Sequence, residues 1–241
     1  MYEFNIEIAN IPIKIFSKHK YVYEQCYDYL TEKNPFFSVS LSNEDILKEM
    51  TIANKRVKTE SDEKYLESTA IYRKICEKIL DYDAFMMHSA TVKLDDTAIA
   101  FIGKSGAGKT TQSMFWINEF GAEYINGDKP IIRLIDGSFF AFGTPWCGKE
   151  RLNNNTYAKL EFLVQVVKSD KNFIEELSSY DALPVVLKQV HLWDDEISLS
   201  KIMDMIDKLI ESVKVLRLYC KKEPISAHVA FEKIFNFTEE K

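Results

Sequence analysis

Apolar and polar residues alternate over 2–9 and again over 11–16, with a break at Asn10. A period of two is that of a half-buried strand, so the chain is expected to open on two strands. Asn34-Pro35 marks a turn, and 36–41 is a third strand candidate. The period then changes. Ser42, with Asp45 three positions on, reads as the cap of a helix. The segment 61–80 carries Tyr65, Leu66, Ile71, Tyr72, Ile75 and Ile79 close to helical spacing. From 85 the period of two returns, and 85–94 and 97–102 read as strands around a tight turn at Asp95-Asp96. A glycine-rich loop leads into a helix over 110–120, stopped by Gly121. Then come a short strand over 122–125 and a hairpin of 130–135 with 139–142 around Asp136-Gly137. An apolar strand over 159–167, a helix over 200–213, a strand over 215–220 and a helix over 227–235 complete the chain. The change of character near residue 84 is the best boundary. It sets a strand and helix segment, 1–84, against a core, 85–241, whether or not the two make one domain.

Composition narrows the class. With 241 residues, 46% hydrophobic and 28% charged, the chain can bury one large core, and nothing suggests disorder. A net charge of -6 argues against a general nucleic-acid binder. Cys26, Cys76, Cys147 and Cys220 are scattered with no CxxC pair, which fits reduced cytoplasmic thiols better than disulfides or a zinc site. There is no signal-peptide pattern and no apolar run long enough for a bilayer. A cytoplasmic protein without a membrane partner is therefore expected.

The candidate chemistry lies at Gly103-Lys104-Ser105-Gly106-Ala107-Gly108-Lys109-Thr110, a full match to GxxxxGK[ST]. Its place between an apolar strand and a helix is what the mechanism requires. Gly106 and Gly108 let backbone N–H groups turn towards phosphate oxygens, and the helix N-terminus adds a favourable dipole. Lys109 would supply charge to the β- and γ-phosphates, and the Thr110 hydroxyl would ligate Mg²⁺. Thr111, next along the helix, joins the nucleotide-binding set. Lys104 is either a further phosphate contact or a solvated loop lysine. Asp128, just after the strand over 122–125, is the expected acid, for the metal or as base for an acceptor.

Here the sequence resembles the HPr kinase-like proteins, which share a fold with the catalytic part of phosphoenolpyruvate carboxykinase. The resemblance is carried by His88-Ser89-Ala90, the hairpin over 92–102, the phosphate loop, Asn126-Gly127-Asp128-Lys129-Pro130, and the run Phe142-Gly143-Thr144-Pro145-Trp146-Cys147-Gly148-Lys149. It covers roughly residues 85–165. It implies an α/β fold, a mixed-sheet P-loop kinase core with a mixed N-terminal segment, ATP and Mg²⁺ as cofactors, and catalytic work by Asp128. Many relatives carry two adjacent aspartates where this chain has Gly127-Asp128. His88 either orients Asp128, touches a phosphate, or is a strand-end histidine. Lys149 and Arg151 are expected to stabilise charge on the transferring group. His191-Leu192-Trp193-Asp194-Asp195-Glu196 has metal-capable side chains without ligand spacing and reads as a loop and helix start.

Three functions compete. The leading one is a kinase that moves the γ-phosphoryl group of ATP to a hydroxyl of a peptide, a protein or a small molecule. The second is a non-catalytic, nucleotide-dependent regulatory module, favoured by Gly127. The third, a carboxykinase, is disfavoured because no histidine-lysine metal pair is evident. The acceptor is not readable, and assembly into homo-oligomers, frequent in the resembling family, is left open.

Overall fold

The structure, a computed structural model, describes residues 1–56, 62–148, 150–193 and 195–239, with backbone alone at 53–56 and 236–239. The chain divides into two compact units, Met1–Tyr82 and Asp83–Lys241.

In the first unit β1 (Tyr2–Ile8) and β2 (Ile11–Ser17) pair antiparallel from Tyr2↔Ser17 to Ile8↔Ile11. Ala9 and Asn10 make the two-residue turn with φ of 53° and 58°, the primed geometry that matches strand twist. β3 (Phe37–Val39) joins β2 in parallel. Ile6, Ile8, Ile11, Ile13 and Ile15 are buried. Around this sheet the chain forms α1 (Lys20–Gln25), α2 (Asn43–Arg56) and α3 (Glu63–Lys78). Ser42 does cap α2: its Oγ accepts from Asp45 N at 3.2 Å while the Asp45 carboxylate accepts from Ser42 N at 2.7 Å. The Arg73 guanidinium donates to both oxygens of buried Glu49, at 2.8 and 3.3 Å, and clamps α3 to α2. Position 61, the expected start of the long helix, lies outside the described residues, and Asp62 caps α3 through Lys64 N. Of the six expected apolar positions, Tyr65 is exposed and the other five are buried, so the buried stripe is narrower than the periodicity implied.

The second unit is a mixed α/β structure. Its main sheet runs β4 (Ala84–Met86), β8 (Ile131–Ile135), β9 (Ser138–Phe142), β10 (Tyr157–Lys168), β6 (Thr97–Ile102), β5 (Ala90–Leu94), β7 (Glu123–Asn126). β12 (Lys214–Cys220) shares an edge of β10 with β9, pairing at 162–168 where β9 pairs at 157–159, and β11 (Phe173–Glu176) flanks β12. The run 85–94 is therefore two strands, not one. β4 and β5 lie five strand spacings apart in the order, about 24 Å in a flat sheet, yet the chain crosses from Met86 to Ala90, a reach of about 14 Å. The sheet must curl, and Met87–Ser89 close the gap: Met87 N donates to Pro130 O at 3.2 Å and Ser89 N to Asp128 O at 3.2 Å.

α4 (Lys109–Phe120) and α7 (Ile225–Glu239) cover one face of the central strands, with Trp116, Ala227, Ala230 and Ile234 packed on Ile99, Phe101, Phe162, Val164 and Leu216. Ala98, Ala100 and Ile102 point the other way and are equally buried. Central strands buried on both faces explain the unbroken apolar run of β6. α5 (Ser179–Leu187), which contains Pro184, and α6 (Glu196–Ser212) complete the unit. Asp195 caps α6 by accepting from Ser198 N at 2.8 Å, and Asp194 lies outside the described residues. No helix among the described residues is long and apolar enough to cross a membrane.

Candidate functional site

Strand direction gathers the site. β6, β10 and β12 are mutually parallel, and β5 is antiparallel to both β6 and β7. The C-terminal ends of β6, β7, β10 and β12 therefore share one sheet edge with the start of β5. That edge carries the glycine loop, Asp128, Lys168 and the segment after Cys220, and it receives His88 and Ser89. Ligand sites in open α/β sheets favour such an edge.

The loop leaves β6 at Gly103 and enters α4 at Lys109. Gly103, Gly106 and Gly108 have φ of 140°, 75° and 114°, which side chains resist. Gly108 is the N-cap of α4 and supplies no side-chain acceptor, so the first amides of the helix face the loop without one. Ala107 N closes the turn on Lys104 O at 3.1 Å. The Lys109 ammonium is 3.0 Å from Gly103 O and 3.4 Å from Lys104 O, and only 9% of the residue is exposed. Burial pushes its pKa below the usual lysine value, with Asp128 opposing. Lys104, Ser105 and Gly106 are exposed, and Thr110 and Thr111 are half-buried in the first turn of α4.

From Lys109 a hydrogen-bonded chain runs to the acid. Lys109 Nζ lies 3.1 Å from His88 Nε2, and His88 Nδ1 lies 3.0 Å from Asp128 Oδ1. Lysine has only protons to give, so Nε2 accepts, and a ring carrying its proton on Nδ1 makes both contacts. Asp128 Oδ2 is 3.8 Å from Lys129 Nζ. Burial pushes the Asp128 pKa up, but the hydrogen bond from His88 and the charges of Lys129 and Lys109 outweigh it and hold the carboxyl below its usual value. Position 148 must be glycine-like: its φ is 80°, and a Cβ there would stand 3.5 Å from Asp128 Oδ2. The bare glycine leaves that oxygen approachable.

Three further residues hold this arrangement. Asn126 is fully buried. Its Oδ1 accepts from Asp128 N at 2.9 Å and Lys129 N at 2.7 Å, fixing the turn that aims the acid. Its Nδ2 donates to Thr144 O and Oγ1, each at 3.1 Å, and Thr144 Oγ1 donates to Lys129 O at 2.9 Å. Gln189 joins the loop to the histidine: its Oε1 accepts from Gly103 N at 3.3 Å and its O from His88 N at 2.7 Å. In the sequence Asn126 and Thr144 stand out only as members of resembling runs, without a role of their own. Gln189, in a stretch without periodic signal, was missed.

Lys149 lies outside the described residues. Arg151 is exposed with φ of 53°. Its charge acts on neighbouring Cys147, whose thiol is pushed up chiefly by burial. Trp193 packs edge-on against His191. Among the described residues no group of three or more His, Cys, Asp or Glu is placed to hold a metal ion.

No protein-family model matches the chain, and no curated protein matches it in sequence. Among solved structures, the Hpr(Ser) kinase/phosphatase from Coxiella burnetii is similar over 64% of this chain and 98% of that chain, at 9% identity and a TM-score of 0.37. A likeness of that size carries no argument, so the functional reading rests on the geometry above.

Proposed function

We propose that the protein is an ATP-dependent phosphotransferase that moves the γ-phosphoryl group to a hydroxyl of a peptide, a protein or a small molecule. One observation carries this reading: the hydrogen-bonded chain that links Lys109 of the phosphate loop through His88 to Asp128. A structural glycine turn needs no such link to a half-buried, ionised acid. In this reading the loop amides, Lys109 and Thr111 would hold the phosphates, Thr110 would ligate Mg²⁺ directly, and Asp128 would hold the ion through water. Mg²⁺ uses one or two carboxylates with phosphates and water rather than a protein cage, which suits a site with a single acid. The ion would neutralise charge on the triphosphate. His88 fixes Oδ1 of Asp128, leaving Oδ2 for the acceptor. As the acceptor oxygen bonds to the γ-phosphorus and the bond to ADP breaks, its proton passes to Asp128 Oδ2. The low pKa of Asp128 keeps it ionised for that step.

Calorimetry tests the site. Lys109→Ala is expected to weaken Mg·ATP binding by at least about tenfold and to abolish turnover, with an unchanged circular dichroism spectrum. Equal affinity in the two proteins would place the nucleotide elsewhere. Asp128→Asn is expected to retain ATP binding and lose phosphoryl transfer by about 100-fold or more.

A non-catalytic nucleotide-dependent module is the second reading, and Gly127 favours it. A Cβ there would stand 3.1 Å from Leu152 Cβ and 3.3 Å from Leu152 O, so the backbone beside Leu152 resists a second aspartate. ATP binding without turnover, against peptide and small-molecule hydroxyl acceptors alike, would establish that reading instead.

A further inference from the structure

Resting on that nucleotide reading, the structure assigns a second half to the site. We propose that the cleft beside the loop, bounded by Thr111, Lys168, Ser169, Lys221 and Lys222, receives the nucleoside end of the nucleotide. The triphosphate then runs from this cleft to the His88–Asp128 pair.

The cleft measures about 300 Å³, and its wall includes Ala107 and Gly108 of the loop and Thr111 and Gln112 of α4. It is thus continuous with the amides that would hold phosphate. Its far wall comes from two other strands. Lys168↔Cys220 is the last pair of the parallel β10–β12 ladder, and β10 runs three residues past its last pairing with β6, Gln165↔Ile102. That overhang carries Lys168 and Ser169 past the end of β6, where the loop begins. Ser169 N donates to Cys220 O at 3.0 Å and Lys221 N to Asn172 Oδ1 at 2.8 Å, so the rim is built and not a loose loop.

Chemistry agrees with position. No carboxylate among the described residues pairs with Lys168, Lys221 or Lys222, all three of which line the cleft. Lysine stems give apolar walls for a flat base, and their ammonium heads lie at the rim, where ribose and the α-phosphate would pass. One group in the lining also waits for a partner. Gln112 is 1% exposed, and its Nε2 is held by Ser226 Oγ at 2.6 Å and Cys220 Sγ at 3.4 Å. Its Oε1 is buried with no hydrogen bond among the described residues, a state that polar groups rarely keep. Lys109, in the same first turn of α4, reaches His88, so the loop adjoins both the lysine-rimmed cleft and the acid-bearing pair.

The test compares two probes, Mg·ATP and Mg·tripolyphosphate, by calorimetry. The second carries the phosphates without a nucleoside. Ser169→Trp fills the cleft without removing charge, and Lys221→Ala with Lys222→Ala strips the rim. Both are checked by thermal melting. If Ser169→Trp perturbs the fold, the double lysine variant carries the test. The expected result is at least about tenfold weaker ATP binding in each variant, with tripolyphosphate affinity changed less than about threefold. Equal losses for the two probes would make the cleft a general anion site and overturn the proposal. Unchanged ATP binding in both variants, with Lys109→Ala still defective, would overturn it while leaving the nucleotide site intact. If the wild type binds neither probe, the nucleotide reading fails first and this inference with it.

Discussion

At Asp128 two effects oppose each other, and their balance sets a pH dependence. Burial disfavours the carboxylate, while His88, Lys129 and Lys109 favour it and prevail, so the folded pKa lies below 3.8. A depressed acid contributes stability that is present above its unfolded pKa and lost as pH falls through the folded one. Asp128→Asn should therefore melt lower than the wild type at neutral pH, and the difference should shrink below pH 3.8. A gap that persists at acid pH would mean that the carboxylate's charge is not what the site uses. At Lys109 the slope with pH is the same, but the charged form is the one the fold disfavours. Burial lowers its pKa, so the folded state disfavours the charged form, and stability rises with pH as the lysine approaches neutrality below 10.5. Removing the charge removes that cost. Lys109→Met is expected to melt no lower than the wild type at neutral pH while losing Mg·ATP. A fall of more than about 5 °C would show that the bonds to Gly103 O and Lys104 O outweigh the burial of charge.

Elements meet at this site through close backbone approach. Gly143 follows β9 and passes between the end of β7 and the segment before β10, and a Cβ there would stand on Asn154 O and press on Ile125 O at 2.9 Å. Both are backbone atoms and cannot swing aside. Gly143→Ala should thus cost about 3 kcal/mol in urea unfolding, at the upper end for overpacking. It should also loosen the Thr144–Asn126 contacts that aim Asp128. A cost under about 1 kcal/mol would show that the crossing is slack. The same approach explains why 143–148 is no strand: its polar groups serve the 126–129 turn instead of a ladder.

Across the whole molecule the four cysteines, Cys26, Cys76, Cys147 and Cys220, are buried and form no disulfide. Burial pushes the Cys26 thiol far above its usual range, and Cys147 and Cys220 move the same way. The native protein should therefore react slowly with a thiol reagent, and all four thiols should react at once in denaturant. One thiol that reacts fast in the native state would reveal local opening at its position.

The sequence by itself determined the local parts. Period-two patterning, the break at Asn10, the Asp136-Gly137 turn, the Ser42 cap and the Gly121 stop depend on neighbours a few residues apart, and so does the strand, loop and helix around Lys109. Tertiary structure decided what those parts face. The break at Met87–Ser89 looks like one strand from within, because only the curl of the sheet makes Ala84–Met86 pair with β8 and Ala90–Leu94 with β6. α1 is six residues long and α5 carries Pro184, so neither announced itself as a helix. His88, Gln189 and Lys109 meet across separations of up to about a hundred residues, and Lys168 reaches the loop only because β10 overruns β6. Such meetings are set by strand order and register, which no periodicity within a segment encodes.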